Sequence, residues 1–390
     1  MAYIPPHKRH SVDAGDRTPS PVPPPSSVLP RFSKALSLCS HKTNKDRRDG
    51  GKIIYAASSI SRWFPTGDPD DATLRLEPFP CEPIVRKSGA MPFVLTGGAQ
   101  VDPKHESQWV SIAQRVAPDI VAAARSAREG LEPETEEIRL SFVARIGKIF
   151  FHGSSVSLDS IRKAAVADSD SRNQVHKSFY TNVPIEYMEE IEHAIVPKIG
   201  FVFDSEKEHY HVKVYDNHRP NSTISCKCTV VKDGELEIQK IELNDVRHLV
   251  VDVSCLCKDI DMRLMMSTKR ILKFLNDEEQ SGINDLIKSA IVDPDVKGGL
   301  RWPLGKESSA ERFSLVGVWH TKYKAFRGRS MTLRLRHANR YDYKTLMGEV
   351  ANEVTLKLTG ISEQLRDGDV KSGSLGDMVQ EAVKLILSKF

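Results

Sequence analysis

The chain has 390 residues and a mass of 43.7 kDa, enough for two or three average domains or for one large domain with appendages. It is 39% hydrophobic and 28% charged, a composition typical of a globular protein rather than a fibrous or wholly disordered one. Its net charge of +4 excludes a histone-like polycation, and no apolar run approaches the roughly 18 residues that a membrane helix needs.

Residues 1–51 differ from the rest of the chain in charge and in proline content. Residues 1–52 contain ten Lys/Arg and four Asp/Glu, a net charge of +6, which leaves −2 for the remaining residues. Eight of the 22 prolines lie within residues 1–30, and few apolar residues there offset the entropy of ordering. We predict that 1–51 is a disordered, basic, proline-rich arm. Because it lacks the apolar core of a secretory signal, we expect a cytoplasmic or nuclear protein.

Residues 52–153 are predicted to form a smaller α+β region. A helix is expected over 105–128, where apolar residues recur at spacings of three and four, with Pro118 kinking or dividing it. Short strands are expected at 53–55, 73–76, 93–95 and 138–146. The polar stretch 154–176, with a short helix near 158–165, is the predicted internal linker.

Residues 177–390 are predicted to form the main α+β region. Closely spaced strands are expected at 199–203, 209–215, 223–231, 236–243, 248–257 and 260–266, and later ones at 312–319 and 330–336. The short connections favour an antiparallel meander, because parallel strands need long crossovers. Helices are predicted near 283–291, 350–365 and 375–387. The predicted fold class is therefore α+β, a largely antiparallel sheet with flanking helices.

Six cysteines in a chain of this length do not indicate a disulfide scaffold. Two C-x-C units on neighbouring predicted strands could instead place four thiolates around zinc. Their strand faces are shared with apolar residues, however, where a free cysteine behaves as a small hydrophobic residue. We therefore predict no metal and no cofactor, and keep one zinc site as the alternative. Its ligands would be Cys226, Cys228, Cys255 and Cys257.

Two further motifs allow a functional and a structural interpretation. His209 and His211 share one face of a predicted strand; they would chelate a metal or simply line a polar strand face, and we favour the polar face. Residues 298–306 contain three glycines, but Leu300 stands where a phosphate loop needs glycine. We favour a structural turn there, with Trp302 tucked against the fold.

The segment 301–344 carries the strongest functional signal. It holds eleven Lys/Arg against three Asp/Glu, a net charge of +8, with aromatic residues interleaved. Cations that follow a phosphate backbone and rings that stack on bases are typical of single-stranded nucleic acid binding. The alternative is a solvated sheet face balanced by acidic helices such as 186–192. The candidate nucleic-acid-binding residues are Arg301, Trp302, Lys306, Lys322, Lys324, Arg327, Arg329, Arg334, Arg336 and Arg340.

No established catalytic motif is present in the sequence. It contains no nucleophile elbow, H-E-x-x-H motif, dinucleotide fingerprint or kinase motif set. We therefore predict a non-enzymatic protein that binds RNA or another single-stranded nucleic acid through 301–344, with no membrane partner. The alternative is a protein-interaction scaffold, in which the proline-rich arm binds proteins and Thr18 and Ser20 are phosphorylated before prolines.

Several stretches resemble a plant family of uncharacterised proteins. They are 1–10 (MAYIPPHKRH), 177–181 (KSFYT), 225–228 (SCKC), 248–255 (HLVVDVSC), 261–265 (DMRLM) and 296–306 (VKGGLRWPLGK). This resemblance implies a plant source and a domain of unknown function, with no catalytic residues to assign. Residues 3–9 are also similar to a Tyr-Ile/Val-Pro-Pro-His-Leu-Arg stretch in the N-terminal arm of DEAD-box RNA helicases, with Lys8 in place of leucine. That similarity implies an RNA-associated interaction arm.

Overall fold

The structure is a computed structural model of the 390-residue chain. It describes residues 54–66, 72–97, 106–129, 136–153, 156–166, 175–218, 223–243, 245–256, 258–272, 275–309, 312–367 and 372–390. The predicted arm at 1–51 lies outside the described residues. Among the described helices, none combines the length and the apolar character needed to span a membrane.

Sixteen strands and eight α-helices make up the described part of the chain. The strands are β1 (Ile54–Thr66), β2 (Arg75–Pro78), β3 (Phe93–Thr96), β4 (Glu136–Phe151), β5 (Lys177–Tyr180), β6 (Val202–Asp216), β7 (Thr223–Val230), β8 (Leu236–Leu243), β9 (Val246–Cys255), β10 (Asp261–Leu272), β11 (Ile291–Val292), β12 (Leu300–Arg301), β13 (Ser308–Ser309), β14 (Phe313–Arg327), β15 (Thr332–Asp342) and β16 (Met347–Lys357). The helices are α1 (Glu82–Ser88), α2 (Glu106–Glu129), α3 (Leu158–Val166), α4 (Ile185–Glu190), α5 (Val196–Lys198), α6 (Asp277–Lys288), α7 (Thr359–Asp367) and α8 (Ser372–Lys389). A π-helical turn, Ile191–Ile195, joins α4 to α5.

Eight of the strands close into an antiparallel barrel. Following the hydrogen bonds, the order is β10-β8-β7-β6-β14-β15-β16-β4, and β4 pairs again with β10. The seam between β10 and β8 is short, with Ile271 opposite Glu242. The predicted α+β class with a largely antiparallel sheet is confirmed. The prediction did not include closure of the sheet on itself.

The barrel has its apolar side chains outside and its polar side chains inside. In β7, Ile224, Cys226 and Cys228 are buried beneath a helix, whereas the alternate residues Ser225 and Lys227 are partly accessible. Because side chains alternate between the two faces of a strand, each barrel strand presents its second set of residues to a shared interior. This interior is called the lumen below.

Helices cover the apolar outer faces on two sides. On one side α2, α7 and α8 pack on β4, β10, β15 and β16, with Val116, Ile120 and Leu333 in a common core. On the other side α6 packs on β6, β7 and β14, where Ile283 and Val212 lie in a second core. Asn276 caps α6 by accepting from the Glu279 N–H at 2.8 Å.

The sheet continues beyond the barrel at both ends of its path. β9 pairs antiparallel with β10, and β1 pairs parallel with β9. β2, β3 and β5 extend the sheet from the C-terminal half of β4. β4 thus joins the 52–153 region to strands of the 177–390 region. Of the predicted linker 154–176, residues 158–166 form α3 and residues 167–174 lie outside the described residues.

The helix predicted over 350–365 is wrong in its first half. Residues 347–357 form β16, and α7 begins at Thr359. The apolar positions in this stretch fit a period of two as well as one near 3.6, and β-branched residues such as Val354 and Thr355 favour a strand. Pairing with β15 and β4 decides the outcome. Likewise, β6 runs unbroken from Val202 to Asp216 where two shorter strands were predicted.

Candidate functional site

Basic side chains converge in the lumen from seven of the eight barrel strands. Together with two carboxylates they form what we call the lumen cluster. Its members are Arg145, Lys213, Lys227, Lys240, Lys269, Arg334, Arg336, Arg340, Lys357, Glu242 and Glu353. The nine cations and two carboxylates of the cluster sum to a net charge of +7. Nearer the mouths, Glu349 opposite Arg340 and Lys207 opposite Tyr323 lie on the same face, and their charges offset each other.

Strand register determines which side chains enter the lumen. Directly opposed residues on neighbouring strands lie on the same face. Arg336 is opposite Glu353 on β16, and Lys227 of β7 is opposite Lys240 of β8. The basic members are neither fully buried nor exposed. Because the barrel wall surrounds them, water reaches them through the lumen.

Glu353 lies where several basic side chains of the lumen meet. Arg336 donates to its Oε2 at 3.2 Å, Arg340 donates to its Oε1, and the Thr181 hydroxyl donates to Oε1 at 2.9 Å. Arg145 adds a further favourable charge. Although burial opposes ionisation, these cations lower the pKa of Glu353 to about 2. Glu353 is therefore a carboxylate at every physiological pH.

The lysines of the lumen have too few counter-charges. Lys240 and Lys269 contact Glu242, with Lys269 Nζ 3.4 Å from Oε2. Burial and nearby cations, Arg334 first among them, together lower the pKa of Lys357 to about 8. Burial also lowers the pKa of Lys213 to about 8. Without a bound anion, the lumen therefore disfavours full protonation of its lysines.

Four lumen arginines keep a buried donor without a partner. Among the described residues, the Nε atoms of Arg145, Arg334, Arg336 and Arg340 have no hydrogen-bond partner. Such a group costs free energy unless it is hydrogen-bonded, to water or to a ligand. Burial and neighbouring arginines also lower the pKa of Arg145 to about 10. Both observations fit a site that accepts an anion with many oxygen atoms.

Two aromatic rings support the lumen cations. Lys213 Nζ lies 3.6 Å from the ring centroid of Trp319, and the Arg340 guanidinium lies 5.4 Å from it. The Arg334 guanidinium lies 4.8 Å from the Tyr323 ring centroid. Cation–π contacts of this kind orient long basic side chains. The rings therefore help to hold these cations in the lumen.

His209 and His211 also face the lumen. Their rings are 4.7 Å apart, centroid to centroid, in an edge-on arrangement. Burial, reinforced by Lys227 and other cations, lowers the pKa of His209 to about 3, and burial lowers that of His211 well below its usual value. Both are therefore neutral near pH 7 and add hydrogen-bonding groups rather than charge. The predicted polar strand face exists, but it lines the inside of the barrel.

The ten candidate residues of 301–344 do not share one surface. Arg334, Arg336 and Arg340 point into the lumen, whereas the others lie outside it. Lys322, Lys324 and Arg301 form ion pairs on outer faces, and Lys306 and Arg329 are exposed. Arg327 pairs with Asp204 at the mouth of the barrel, on the strand face of Arg334 but largely exposed. Sequence reasoning missed Arg145, Lys213, Lys227, Lys240, Lys269 and Lys357. The alternation in β7 signals an inward Lys227, but no local pattern shows that eight strands close.

Trp302 is buried as the structural interpretation predicts. Its Nε1 donates to the Leu286 carbonyl at 2.8 Å, at the C-terminal end of α6. Gly298 and Gly299 have φ of +84° and +73°, and a side chain at Gly299 would meet the Tyr210 ring at 3.0 Å. Residues 298–302 thus form a strap across the outside of the barrel.

Replacing Trp302 by Phe should destabilise the protein by about 2 kcal/mol, because it removes a buried hydrogen bond and leaves part of the ring volume unfilled. Urea denaturation of the full chain measures the loss. Leu304→Ala is the control, since Leu304 lies two residues away with a side chain 99% exposed. Equal destabilisation by both substitutions would contradict this role for Trp302.

The described zinc-ligand candidates are divided between two cores. Cys226 and Cys228 lie in the core beneath α6, and Cys255 lies in the core beneath α2 and α8. Burial raises the pKa of Cys228 to about 12 and that of Cys226 further still. Cys257 lies outside the described residues. Within the described part of the chain, no three His, Cys, Asp or Glu side chains group as metal ligands.

The family profile DUF7903, described as a domain of unknown function, matches residues 47–390. The chain belongs to the DUF7903 family. The match begins close to the end of the predicted arm and includes every barrel strand, so the lumen cluster lies wholly within the DUF7903 domain. No curated protein sequence matches the chain.

Two solved structures are similar to part of this DUF7903 chain. S. pombe Pct1 RNA triphosphatase has a TM-score of 0.43 at 9% identity, covering 72% of this chain and 93% of that one. The same enzyme in complex with the Spt5 CTD has a TM-score of 0.41 at 10% identity, covering 71% and 93%. At these values the likeness does not bear on what the DUF7903 domain binds.

Proposed function

We propose that the lumen binds a linear chain of phosphate groups, and that the protein acts by binding rather than by catalysis. The observation that carries the proposal is the +7 charge of the lumen cluster inside one closed barrel. Like charges a few Å apart repel each other by ~1–4 kcal/mol at a protein's effective dielectric constant. A polyanion relieves that repulsion and supplies acceptors for the free Nε donors.

The width of the barrel restricts the ligand. An eight-stranded barrel has room inside for side chains or for one small ligand. A bare chain of phosphates fits such a space, whereas a strand of nucleotides with stacked bases does not. If RNA is the ligand, it enters through its 5′-terminal phosphates. RNA binding by 301–344 takes this narrower form, with Arg334 contacting the terminal phosphates and Arg336 and Arg340 held by Glu353.

Binding without turnover is supported by the state of the two lumen carboxylates. Glu353 is held by Arg336 and Arg340, and Glu242 by Lys240 and Lys269. Neither is poised as a general base, because pairing with cations lowers the pKa of both carboxylates and makes them weak proton acceptors. The scaffold alternative depends on residues 1–51, which lie outside the described residues, and it stays a prediction.

Calorimetric titration of the full chain in low-salt buffer tests the proposal. The ligands are inorganic tripolyphosphate, a nucleoside triphosphate and a short single-stranded RNA with a 5′-triphosphate; the same RNA with a 5′-hydroxyl is the control. We expect one shared site per chain, competition by tripolyphosphate, and binding of the control RNA at least tenfold weaker.

Three outcomes would contradict parts of the proposal. Equal binding of both RNAs without competition by tripolyphosphate would place the site outside the lumen. Binding of tripolyphosphate but not of triphosphorylated RNA would exclude RNA as the source of the phosphates. Release of inorganic phosphate in the presence of Mg²⁺ would show that the protein is an enzyme.

A further inference from the structure

The lumen already contains an anion of its own where its arginines meet. The carboxylate of Glu353 accepts from Arg336, Arg340 and Thr181, with Arg145 acting on it electrostatically. The side chain of Glu353 is 3% exposed. Three donors and a further cation directed at one carboxylate are the arrangement that would otherwise hold a phosphate group, because guanidinium forks bind both oxyanions in similar geometry.

The basic residues toward one mouth of the barrel lack such a partner. Arg334 is the third residue of β15 and Lys357 is the last residue of β16. Among the described residues, neither makes an ion pair with a carboxylate, and Lys269 and Lys240 add to the positive potential at Lys357. Going inward along β16 from Lys357, a ligand travels about 13 Å before it meets Glu353, at 3.3 Å per residue.

We infer that Glu353 determines ligand length: it occupies the arginine site and stops a bound phosphate chain in the lysine-lined half of the lumen. This inference rests on the proposed function. A phosphate that reached Arg336 and Arg340 would have to displace a carboxylate tethered to the wall of the barrel and would face its negative charge. A phosphate chain that is longer than the lysine-lined half of the lumen therefore makes no additional contacts.

Affinity measured against chain length tests this role. Pyrophosphate, tripolyphosphate and a longer linear polyphosphate are titrated into the full chain and into the Glu353→Gln variant. Each affinity is corrected for the two equivalent ends of the ligand. In the natural chain it should rise from pyrophosphate to tripolyphosphate and then level off for the longer polyphosphate. In Glu353→Gln it should keep rising, with the longest ligand bound at least tenfold more tightly than by the natural chain and pyrophosphate within threefold.

Glu242→Gln is the matched control, since it removes one buried lumen carboxylate away from the three arginines. It should strengthen binding of all three ligands by similar factors. Glu353→Asp, which keeps the charge, should keep the plateau. If affinity changes with ligand length in the same way in Glu353→Gln and Glu242→Gln, the inference is wrong. The proposed function would still stand in that case, provided that the natural chain binds the ligands.

A footprint on the unmodified sequence covers the case in which Glu353→Gln does not fold. Tripolyphosphate should protect Lys357 from acetylation while Arg336 and Arg340 keep their reactivity toward an arginine-specific dicarbonyl, both read by mass spectrometry. Protection of Arg336 and Arg340 as strong as that of Lys357 would overturn the inference. If no phosphate chain binds, the proposed function itself is wrong.

Discussion

Replacing Arg334 and Lys357 together by Gln should weaken tripolyphosphate binding at least a hundredfold. Each residue faces the lumen, and within the described part of the chain neither forms an ion pair, although Asp204 adds a favourable charge near Arg334. A charge-assisted hydrogen bond to a ligand contributes roughly 1.5–3 kcal/mol, which corresponds to about tenfold or more in affinity for each residue. Calorimetry on the full chain measures the change.

The control removes two positive charges from the neighbouring strand β14. Lys322 and Lys324 lie on the outer face of β14, where they pair with Glu208 and Glu192 and are 54% and 41% exposed. Exposed ion pairs contribute little, and charges outside the barrel are screened by salt. Lys322→Gln with Lys324→Gln should therefore change the affinity less than threefold. An equal loss in both double variants would show that only the overall charge matters.

The sequence predicts the elements of this fold better than it predicts their closure. The alternation of Ile224, Cys226 and Cys228 with polar residues identifies β7 and its apolar face, and the structure buries that face under α6. Nothing local in the sequence shows that the opposite face meets other polar faces. That depends on the seam between β10 and β8, where Ile271 lies opposite Glu242, residues far apart in the chain.

The basic segment 301–344 shows the same limit. Its charge excess is real in the sequence, but alternation sends neighbouring cations to opposite sides of the barrel wall. Arg334 and Arg336 lie inside, and Lys322 and Lys324 lie outside. The six lumen cations missed by sequence reasoning are spread from Arg145 to Lys357, so no single window of sequence reveals their number. Charge summed along the chain is thus a poor guide to charge gathered in space.

As pH rises, the lumen lysines should increase the stability of the protein and decrease its affinity for phosphate chains. In the folded protein the pKa of both Lys213 and Lys357 is about 8, below the usual 10.5 that applies when the chain is unfolded. Between pH 7.5 and 9.5 the unfolded chain therefore binds more protons than the folded one, so stability rises with pH. Each lysine should add about 2 kcal/mol over this interval.

Comparison with a Lys213→Gln, Lys357→Gln variant isolates these two groups. Burial raises the pKa of Cys226 and Cys228, so their unfolded thiols ionise first and stability falls with pH. That contribution is common to both proteins and cancels in the difference. The free energy of unfolding of the natural chain, from urea denaturation, should gain about 4 kcal/mol relative to the variant between pH 7.5 and 9.5. A parallel pH dependence would show that the two lysines keep their ordinary pKa.

Ligand affinity should move the other way over the same interval. A bound phosphate chain favours the charged lysines, so binding takes up protons and weakens as pH rises through 8. A nucleoside triphosphate suits this measurement because a terminal phosphate with a second pKa of about 6 is fully ionised throughout. Its affinity should fall roughly tenfold between pH 7.5 and 9.5 as Lys357 loses its charge, and much less in the double variant. Lys213 contributes little to this fall, because it lies beside Arg340, beyond Glu353. Partial unfolding at high pH would also weaken binding, but it would be accompanied by lower stability; weaker binding by a protein that is more stable therefore indicates lost lumen charge. A constant affinity across this range would place the ligand away from Lys357.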